Sequence, residues 1–569
     1  MRTQQPRTHY PRTPHLPWSP GASSDDVRVT DLRGLRGREV VVTEKLDGEN
    51  TTLYADGLHA RSLDSAHHPS RAWAKALQGR IAERIPTGWR VCGENMFARH
   101  SLAYSGLESW FYGFSVWDDS DDSPGGRCLD WDRTVDFLRQ RGIPAPPVLW
   151  RGVLDRDSER ALRALKPDTG RTEGYVVRSV EGFTLEEFGQ RVAKWVRTGH
   201  VQTDQHWMHT AVVENGLDPA AALWAVRSGA APDAEALLTA VGVASGSPRA
   251  AAEAAARLDA LGLTGDDRLA GVLAALMHRG HRGSLAGRLA APLGLPLARR
   301  VADLVGLHPR LHRPYPDEDR KSGLIRLSYA VDLGVLHAVA DAVAPDAEAH
   351  EQVEWSALYA EEAVPPDQES LRKAFADLEA HAADRCWAEA REAYAEGRIR
   401  TADEAVAATW RWRSGDFPRL IQMVGPSGSG KSDFARGLGG VDAYVSLDEL
   451  REARGARADQ RANGEVLRRG LHGLDTALAS GGTVVWDATS LNPHQRSLVR
   501  GIARRHDALH IHAVLLVDED ELARRNTARP HPVPDSALTA QLRRFVPPYP
   551  GQAHHTWYIG EGGTVEEEA

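Results

Sequence analysis

Gly425-Pro426-Ser427-Gly428-Ser429-Gly430-Lys431-Ser432 fits GxxxxGKS at every place, follows the β-prone run 420–424 and opens a helix-prone segment at Asp433. Glycines leave backbone N–H groups free to wrap phosphate oxygens, Lys431 reaches the β and γ oxygens, and the Ser432 hydroxyl ligates Mg²⁺. Gly425, Ser427, Gly428 and Gly430 belong to the same cradle. Around it, β-prone runs at 420–424, 443–446, 483–486 and 511–517 alternate with helical segments, which predicts a parallel α/β sheet. Near the other end of the chain, Lys45-Leu46-Asp47-Gly48 follows the β-prone run 40–43. Two nucleotide-handling signatures of different chemistry share one polypeptide.

A length of 569 residues accommodates about three to four domains. The three cysteines, Cys92, Cys128 and Cys386, lack CxxC spacing, which argues against a disulfide framework or a cysteine-rich zinc site and fits a reducing cytoplasm. No apolar run approaches the roughly 20 residues that span a bilayer, so no membrane role is expected. Arg2, Arg7 and Arg12 precede the first acid, Asp25, but Pro6, Pro11, Pro14, Pro17 and Pro20 break any amphipathic transit helix. The net charge of −9 excludes a general polyanion attraction and leaves nucleic-acid contact to local basic patches.

Three zones follow from composition. Residues 1–205 alternate β-rich runs with turn signals, as a mixed α/β domain does. Residues 206–411 are rich in Ala, Leu, Arg and Glu, with helical periodicity clearest at 250–263 and 371–396, and predict an all-α domain. Residues 412–569 begin with a short linker, 413–418, and continue into the P-loop α/β region. The tail Glu566-Glu567-Glu568 reads as a solvated end.

A lysine amine attacks phosphorus only when deprotonated, so its site is expected to lower its pKa through neighbouring cations or desolvation. Alone, Lys45-Leu46-Asp47-Gly48 equally reads as a surface turn, because Asp-Gly is a strong turn dipeptide. Its company is Gly93-Glu94, the aromatic run 110–117, Glu173-Gly174-Tyr175-Val176-Val177-Arg178, and Val192-Ala193-Lys194-Trp195-Val196-Arg197. That set offers carboxylates for a divalent metal, cations for phosphates and an aromatic face for a base. In order and wording it resembles the ATP-dependent RNA ligases of the covalent nucleotidyltransferase superfamily, phage RNA ligases included, over roughly residues 40–200.

The resemblance implies an ATP-grasp-like α/β nucleotidyltransferase domain in which Lys45 takes AMP through a phosphoramide bond. It also implies that Asp47, Gly48 and Arg61 bind the nucleotide, that Glu94 contacts the ribose and that Phe114 stacks on adenine. Glu173 would organise metal and lysine, and Lys194 would contact phosphate. Where phage ligases carry Lys-x-Lys, Val196 takes the second place and Arg197 follows, so either Arg197 substitutes by a shifted register or phosphate contact is thinner than in those ligases. DNA ligases and capping enzymes share the lysine motif, while the longer spellings Glu44 to Asn50 and Gly93-Glu94-Asn95 look more like the RNA ligases.

In the P-loop region, Asp448 lies just past the second β-prone run, where a carboxylate can deprotonate an acceptor hydroxyl beside the γ-phosphate. Arg451, three residues on, shares its helix face and would bind an anionic substrate. Arg525 and Arg529 stand four apart on a segment expected to be helical over 519–529, as a lid on transferring phosphates. These features resemble the polynucleotide 5′-kinases, with Asp448…Arg451, Asp487-Ala488-Thr489 before Asn492-Pro493, Arg525…Arg529 and Val533-Pro534 in the family's order. A strand-end aspartate such as Asp487 also reads as a helix cap.

The central zone spells no recognisable phosphatase or phosphodiesterase motif. His278, His281, His308 and His312 are expected to be scattered surface residues, since Pro309 and Pro314 argue against a regular helix presenting the last two. The zone is expected to be an RNA-binding or spacer module. The two resemblances together imply a cytoplasmic, bifunctional RNA-repair enzyme using ATP and Mg²⁺ (or Mn²⁺), with Glu173 and Ser432 as metal contacts. Its partners would be broken RNA strands with 5′-OH or 5′-phosphate and 3′-OH ends, with a separate 3′-end phosphatase for cyclic-phosphate ends. The alternatives are an RNA or DNA ligase carrying an accessory P-loop ATPase or small-molecule kinase, and a non-enzymatic sensor.

Overall fold

The computed structural model describes all residues except 1–4, 25, 64–67, 121–122, 166, 169, 171, 199–211, 315–316, 363–367, 454–462 and 530–531. Arg2, Asp25 and the expected boundary at 205/206 lie outside the described residues. Contacts group the chain into two units: Met1–Ala240 with Gly262–Leu269, and Val241–Leu261 with Ala270–Ala569.

The first unit contains ten strands among its described residues: β1 (Glu39–Lys45), β2 (Glu49–Tyr54), β3 (Gly57–Ala60), β4 (Trp89–Asn95), β5 (Phe111–Asp118), β6 (Arg127–Cys128), β7 (Val148–Val153), β8 (Gly174–Ser179), β9 (Phe183–Thr184) and β10 (Val192–Val196). They form two antiparallel sheets, β10-β8-β1-β7 and β3-β2-β4-β5-β6-β9. The alternation of side chains along a strand sorts β1 between two cores. Val40 and Val42 pack with Leu16, Tyr175, Val177 and Ala193, whereas Val41 turns to Trp131 and Val180. Lys45 falls on the Val41 side by the same period of two. An inter-sheet cluster of Cys92, Trp117, Cys128, Phe183, Phe188 and Val192, joined by Phe114 and Val176, lies next to that side. Helix Trp131–Gln140, capped by Asp130, buries Phe137 and Leu138 against the larger sheet. Where β8 meets β10, a Cβ at Gly174 would collide with the Trp195 carbonyl, so glycine permits the pairing beside Glu173.

In the second unit, β11 (Arg419–Val424), β12 (Ala443–Ser446), β13 (Thr483–Asp487), β14 (Leu509–Leu515), β15 (His555–Ile559) and β16 (Val565–Glu568) form one sheet in the order β12-β13-β11-β14-β15-β16. The strands from β12 to β15 run parallel, as expected; β16 closes the edge antiparallel. The tail 566–568, read as a solvated end, is therefore part of the sheet. Glu567 accepts two bonds from Arg299, both at 2.7 Å, because the buried guanidinium needs a carboxylate partner.

Two helices of the central zone, Leu295–Leu311 and Ala380–Ala395, pack against β16 and β15 respectively, at one side of this sheet. Arg282 and Arg299 share the fully buried Asp303, and Arg385 donates to the Ala508 carbonyl at 2.8 Å. The helical stretch expected over 371–396 is two helices, Gln368–Lys373 and Ala380–Ala395, because Phe375 turns inward between them to join Leu371 and Trp387 in one core. The histidines also differ from expectation. Helix Leu295–Leu311 runs through Pro309, and His308 is buried within it. Pro309 has no N–H to bond the Val305 carbonyl, and the helix ends two residues later at Leu311. His312 bonds the Ala340 carbonyl at 2.7 Å, while His281 alone of the four is well exposed. Among the described residues no group of three or more His, Cys, Asp or Glu is placed to hold a metal ion. No single described helix is long and apolar enough to cross a membrane.

β14 buries His510 and His512. Burial, reinforced by nearby arginines, pushes His510 down to about 3, and burial with His510 holds His512 well below the usual imidazole range. Both are neutral in the fold, so the unfolded chain binds more protons below its own histidine pKa of about 6.5. Their contribution to stability is complete above that pH and is lost as the pH falls towards 3. His510 should cost about 2 kcal/mol at pH 5 relative to neutral pH, and His512 acts in the same direction. Urea unfolding of this unit should show a midpoint that drops between pH 7 and pH 5, with His510→Asn flattening the slope. A midpoint unchanged over that range counts against neutral burial.

Candidate active sites

The first site is assembled where β1 ends. β1 pairs with β8, so Lys45 stands opposite Gly174, beside Glu173. The Lys45 ammonium donates to Glu173 in a close ion pair and, at 3.4 Å, to the Leu46 carbonyl. From the second sheet, Glu94 on β4 accepts from the Gly48 N–H at 3.2 Å. A Cβ at Gly48 would lie 2.6 Å from the Asn95 carbonyl oxygen, which explains the glycine in the Lys45 motif. Asp47 is tied to a loop, accepting from Ser101 N, Ser101 Oγ and Leu102 N at 2.9, 2.6 and 2.9 Å.

Lys45 departs from the expected electrostatics. Burial lowers its pKa, but Glu173, Glu94 and Asp47 outweigh burial, and the net displacement is upward. Three carboxylates converge there, where the sequence reading expected cations or desolvation to prevail. Glu94 shows the complementary effect: burial pushes it up to about 7, against the opposing pull of Lys45. Lys194 on β10 has its pKa lowered by burial and then by repulsion from Lys45, with Arg61 adding to it. Arg61 is exposed, and its carbonyl bonds His9 at 2.9 Å. Arg197 lies just past β10, its N–H donating to the Glu173 carbonyl at 3.1 Å. Phe114 is half-buried in the inter-sheet cluster, with Tyr10 edge-on at 5.1 Å.

Two residues of this neighbourhood were not singled out from the sequence as site residues. Glu49 is buried and bound by Arg71 through Nε at 2.8 Å and Nη2 at 2.5 Å, so it fastens the strand after the motif. Tyr104 accepts the Asp47 N–H at 3.1 Å. Glu49 lies within the longer spelling Glu44 to Asn50, but its pairing with Arg71 and the reach of Tyr104 to Asp47 have no spacing that could announce them.

The second site is the P-loop between β11 and helix Lys431–Gly437. Gly428 and Gly430 take φ of 86° and 95°, a region that favours glycine, so the cradle needs them. Lys431 folds back to the Pro426 carbonyl at 2.7 Å and to Ser429 Oγ at 3.5 Å. Its pKa is lowered to about 8, first by burial and also by Arg529, with Asp487 and Asp448 opposing. The expected Asp448 and Arg529 are thus both close enough to act on Lys431.

Ser432 donates to Asp487 at 2.7 Å, and Tyr444 donates to the same carboxylate oxygen. Asn492, accepting from Gln495 N at 3.0 Å, caps the following helix, so Asp487 is left to the loop. Ser432 and Asp487 together offer oxygen ligands of the kind a hard divalent cation takes. Arg451 pairs with Asp448 on helix Leu447–Glu452.

The lid helix is Glu519–Thr527, ending two residues before Arg529. Arg525 bonds Glu521 and the Glu561 carbonyl, and its guanidinium passes close to Gly430. Buried Asn526 exchanges bonds with Val533 at 2.7 and 2.9 Å, and Gln541 accepts the Ser427 N–H at 2.8 Å. Asn526 fastens the helix Glu519–Thr527 to Val533 and Gln541 fastens the helix Asp535–Arg544 to the P-loop, and sequence spacing did not reveal them.

Comparison with known proteins divides the chain the same way. Residues 38–196 match the family model described as RNA ligase, and residues 420–548 match one described as AAA domain. The chain joins an RNA ligase domain at the N-terminal end to a P-loop AAA domain at the C-terminal end. No curated protein matches the chain. Among solved structures, the Pnkp1/Rnl/Hen1 RNA repair complex aligns at 21% identity, 22% of this chain, 44% of that chain and a TM-score of 0.21. A Naegleria gruberi RNA ligase variant with ATP and Mn aligns at 19% identity, 29% of this chain, 51% of that chain and a TM-score of 0.22. A gluconokinase from Sinorhizobium meliloti 1021 aligns at 25% identity, 25% of this chain, 83% of that chain and a TM-score of 0.20. The chain thus spans about half, or less, of the first two proteins.

Proposed function

We propose that this protein heals and seals RNA ends, pairing an ATP-dependent RNA ligase (residues 1–205, ATP-grasp-like) with a polynucleotide 5′-kinase (412–569) through a helical region at 206–411. The observation that carries the proposal is the occurrence, in one chain, of the Lys45–Glu173–Glu94 site in an RNA ligase domain and a complete P-loop with Asp448, Asp487 and Arg529 gathered at Lys431.

In the kinase, Asp448 takes the proton of a 5′-hydroxyl as its oxygen attacks the γ-phosphorus of ATP and ADP leaves. Lys431, Arg525 and Arg529 balance the charge that spreads over the transferring phosphoryl oxygens, and Arg451 holds the strand's phosphate. In the ligase, neutral Lys45 attacks the α-phosphorus of ATP and pyrophosphate leaves, giving a phosphoramide. A 5′-phosphate oxygen then displaces Lys45 to form a pyrophosphate-linked AMP cap, and a 3′-hydroxyl displaces AMP to close the strand. Glu94 and Phe114 orient the nucleoside; Arg61, Lys194 and Arg197 receive phosphates. Divalent metal, Mg²⁺ by this proposal, would be held by Glu173 in the ligase and by Ser432 with Asp487 in the kinase, where it offsets phosphate charge. Charge neutralised at Glu173 is charge that no longer stabilises the ammonium form of Lys45.

Sealing needs a free 3′-hydroxyl, and no residue here is assigned to open a 2′,3′-cyclic phosphate. RNA with a 5′-OH should therefore be phosphorylated whichever 3′ terminus it carries, but sealed only with a 3′-OH. Cyclic-phosphate ends should stall as 5′-phosphorylated or adenylylated strands until a separate phosphatase is added. A gel comparing one labelled stem-loop with the two termini reads this directly. Efficient sealing of the cyclic-phosphate form would reveal a third active site.

A further inference from the structure

We propose that Asn215, outside the region matching the RNA ligase family, is a positioning residue for the Lys45 site, acting through the loop 96–104. The inference rests on the adenylylation chemistry proposed for Lys45.

Asn215 is 3% exposed and uses every polar group it has. Its side-chain oxygen accepts from Tyr104 N at 3.0 Å, and its amide nitrogen donates to the Met96 carbonyl at 2.8 Å and to the Ala98 carbonyl at 3.4 Å. Its own N–H donates to the Phe97 carbonyl at 3.0 Å, and its carbonyl accepts Trp110 Nε1 at 2.9 Å. Gly216 N bonds the Tyr104 carbonyl at 2.7 Å, and Arg99 N bonds the Val213 carbonyl at 2.7 Å. One side chain therefore clasps both ends of the loop 96–104.

That loop holds Asp47. Tyr104 Oη accepts the Asp47 N–H, while Ser101 and Leu102 donate to its carboxylate. Asp47 is two residues from Lys45 and is one of the three carboxylates that set the charge on its amine. Trp110, fixed by the Asn215 carbonyl, packs in the same cluster as Leu46, Met96 and Tyr112. A shift of the loop thus moves both neighbours of Leu46 and carries the amine with them. Loss of the clasp leaves a buried backbone N–H and two carbonyls without their partner, so the loop must rearrange. Misplacement of a reacting group by about 1 Å costs on the order of 100-fold.

The test measures single-turnover formation of the lysyl–AMP adduct from α-labelled ATP, using the full chain with Asn215→Ala, Tyr104→Phe and the double variant. Asn215→Ala should slow adduct formation by roughly 10- to 100-fold with half-saturation by ATP little changed. Tyr104→Phe, which removes only the oxygen facing Asp47, should show part of that loss. The double variant should be no slower than Asn215→Ala, because both act along one chain of contacts. Losses that simply multiply overturn the inference, as does a folded Asn215→Ala protein within about twofold of wild type. If Asn215→Ala does not fold, Tyr104→Phe and Ser101→Ala decide it: wild-type rates in both overturn it, and a slowed rate at unchanged ATP saturation supports it. Absence of any adduct in the wild type instead removes the ligase reading itself.

Discussion

Lys45→Ala should abolish the covalent AMP adduct and with it all sealing, while 5′-phosphorylation of RNA continues at the wild-type rate. The side chain being removed is the group that forms the bond to phosphorus, so no residual route of the same chemistry remains. Lys194 is the other amine of the neighbourhood and is the residue to watch, since it lies close enough to repel Lys45. Label that persists from α-labelled ATP and maps to Lys194 by peptide analysis would show that the nucleophile has been misassigned. A parallel loss of kinase activity would point to misfolding rather than chemistry, which makes the second activity an internal control.

The reciprocal result is expected at the P-loop. Lys431→Ala and Asp448→Ala should remove 5′-kinase activity, the latter by roughly 10²- to 10⁴-fold, the usual worth of a general base. Arg529→Ala should cost about 10²- to 10³-fold if it faces the transferring charge. All three proteins should still seal RNA supplied with a ready-made 5′-phosphate. Asp487→Asn belongs to the same series, since it alters the carboxylate that receives Ser432. A kinase rate unchanged in Asp448→Ala, together with ATP hydrolysis that needs no RNA end, would revive the reading of this region as an accessory ATPase.

Much of the chemistry was legible in the chain because it is local. A phosphate cradle needs its glycines, lysine and hydroxyl within eight residues, so Gly425 to Ser432 announces both the loop and the strand and helix that flank it. Lys45 and Glu94 stand at the ends of short β-prone runs, Glu173 precedes one and Lys194 lies within one, and their order along the chain is visible without coordinates. The supports were not legible. Arg71 reaches Glu49 across 22 residues, Gln541 reaches Ser427 across 114, and Asn215 reaches Met96 across 119. Such contacts have no period or spacing, because they are made by tertiary approach.

The same distinction separates the expectations that changed. The need for a deprotonated nucleophilic amine suggested a lysine with a lowered pKa. Only the approach of β8 and β4 places Glu173 and Glu94 beside Lys45 and turns the balance upward. Asp487 read from the sequence either as part of the kinase-like Asp-Ala-Thr motif or as a helix cap; in the fold Asn492 caps the helix and Ser432 reaches the Asp487 carboxylate. The acidic tail read as solvated because charge favours water. In the fold, the buried Arg299 offers Glu567 a partner, and the tail becomes an edge strand.

By itself, then, the sequence pointed to two candidate nucleotide sites and determined the parallel sheet around one of them and a helical region between, since each depends on local periodicity and motif chemistry. The tertiary structure alone decided the protonation balance of Lys45, the partner of Asp487 and the clasp of Asn215 on the loop that holds Asp47. Electrostatic energy and buried hydrogen bonds depend on distance through space, and that distance is set only when the strands have paired and the cores have closed.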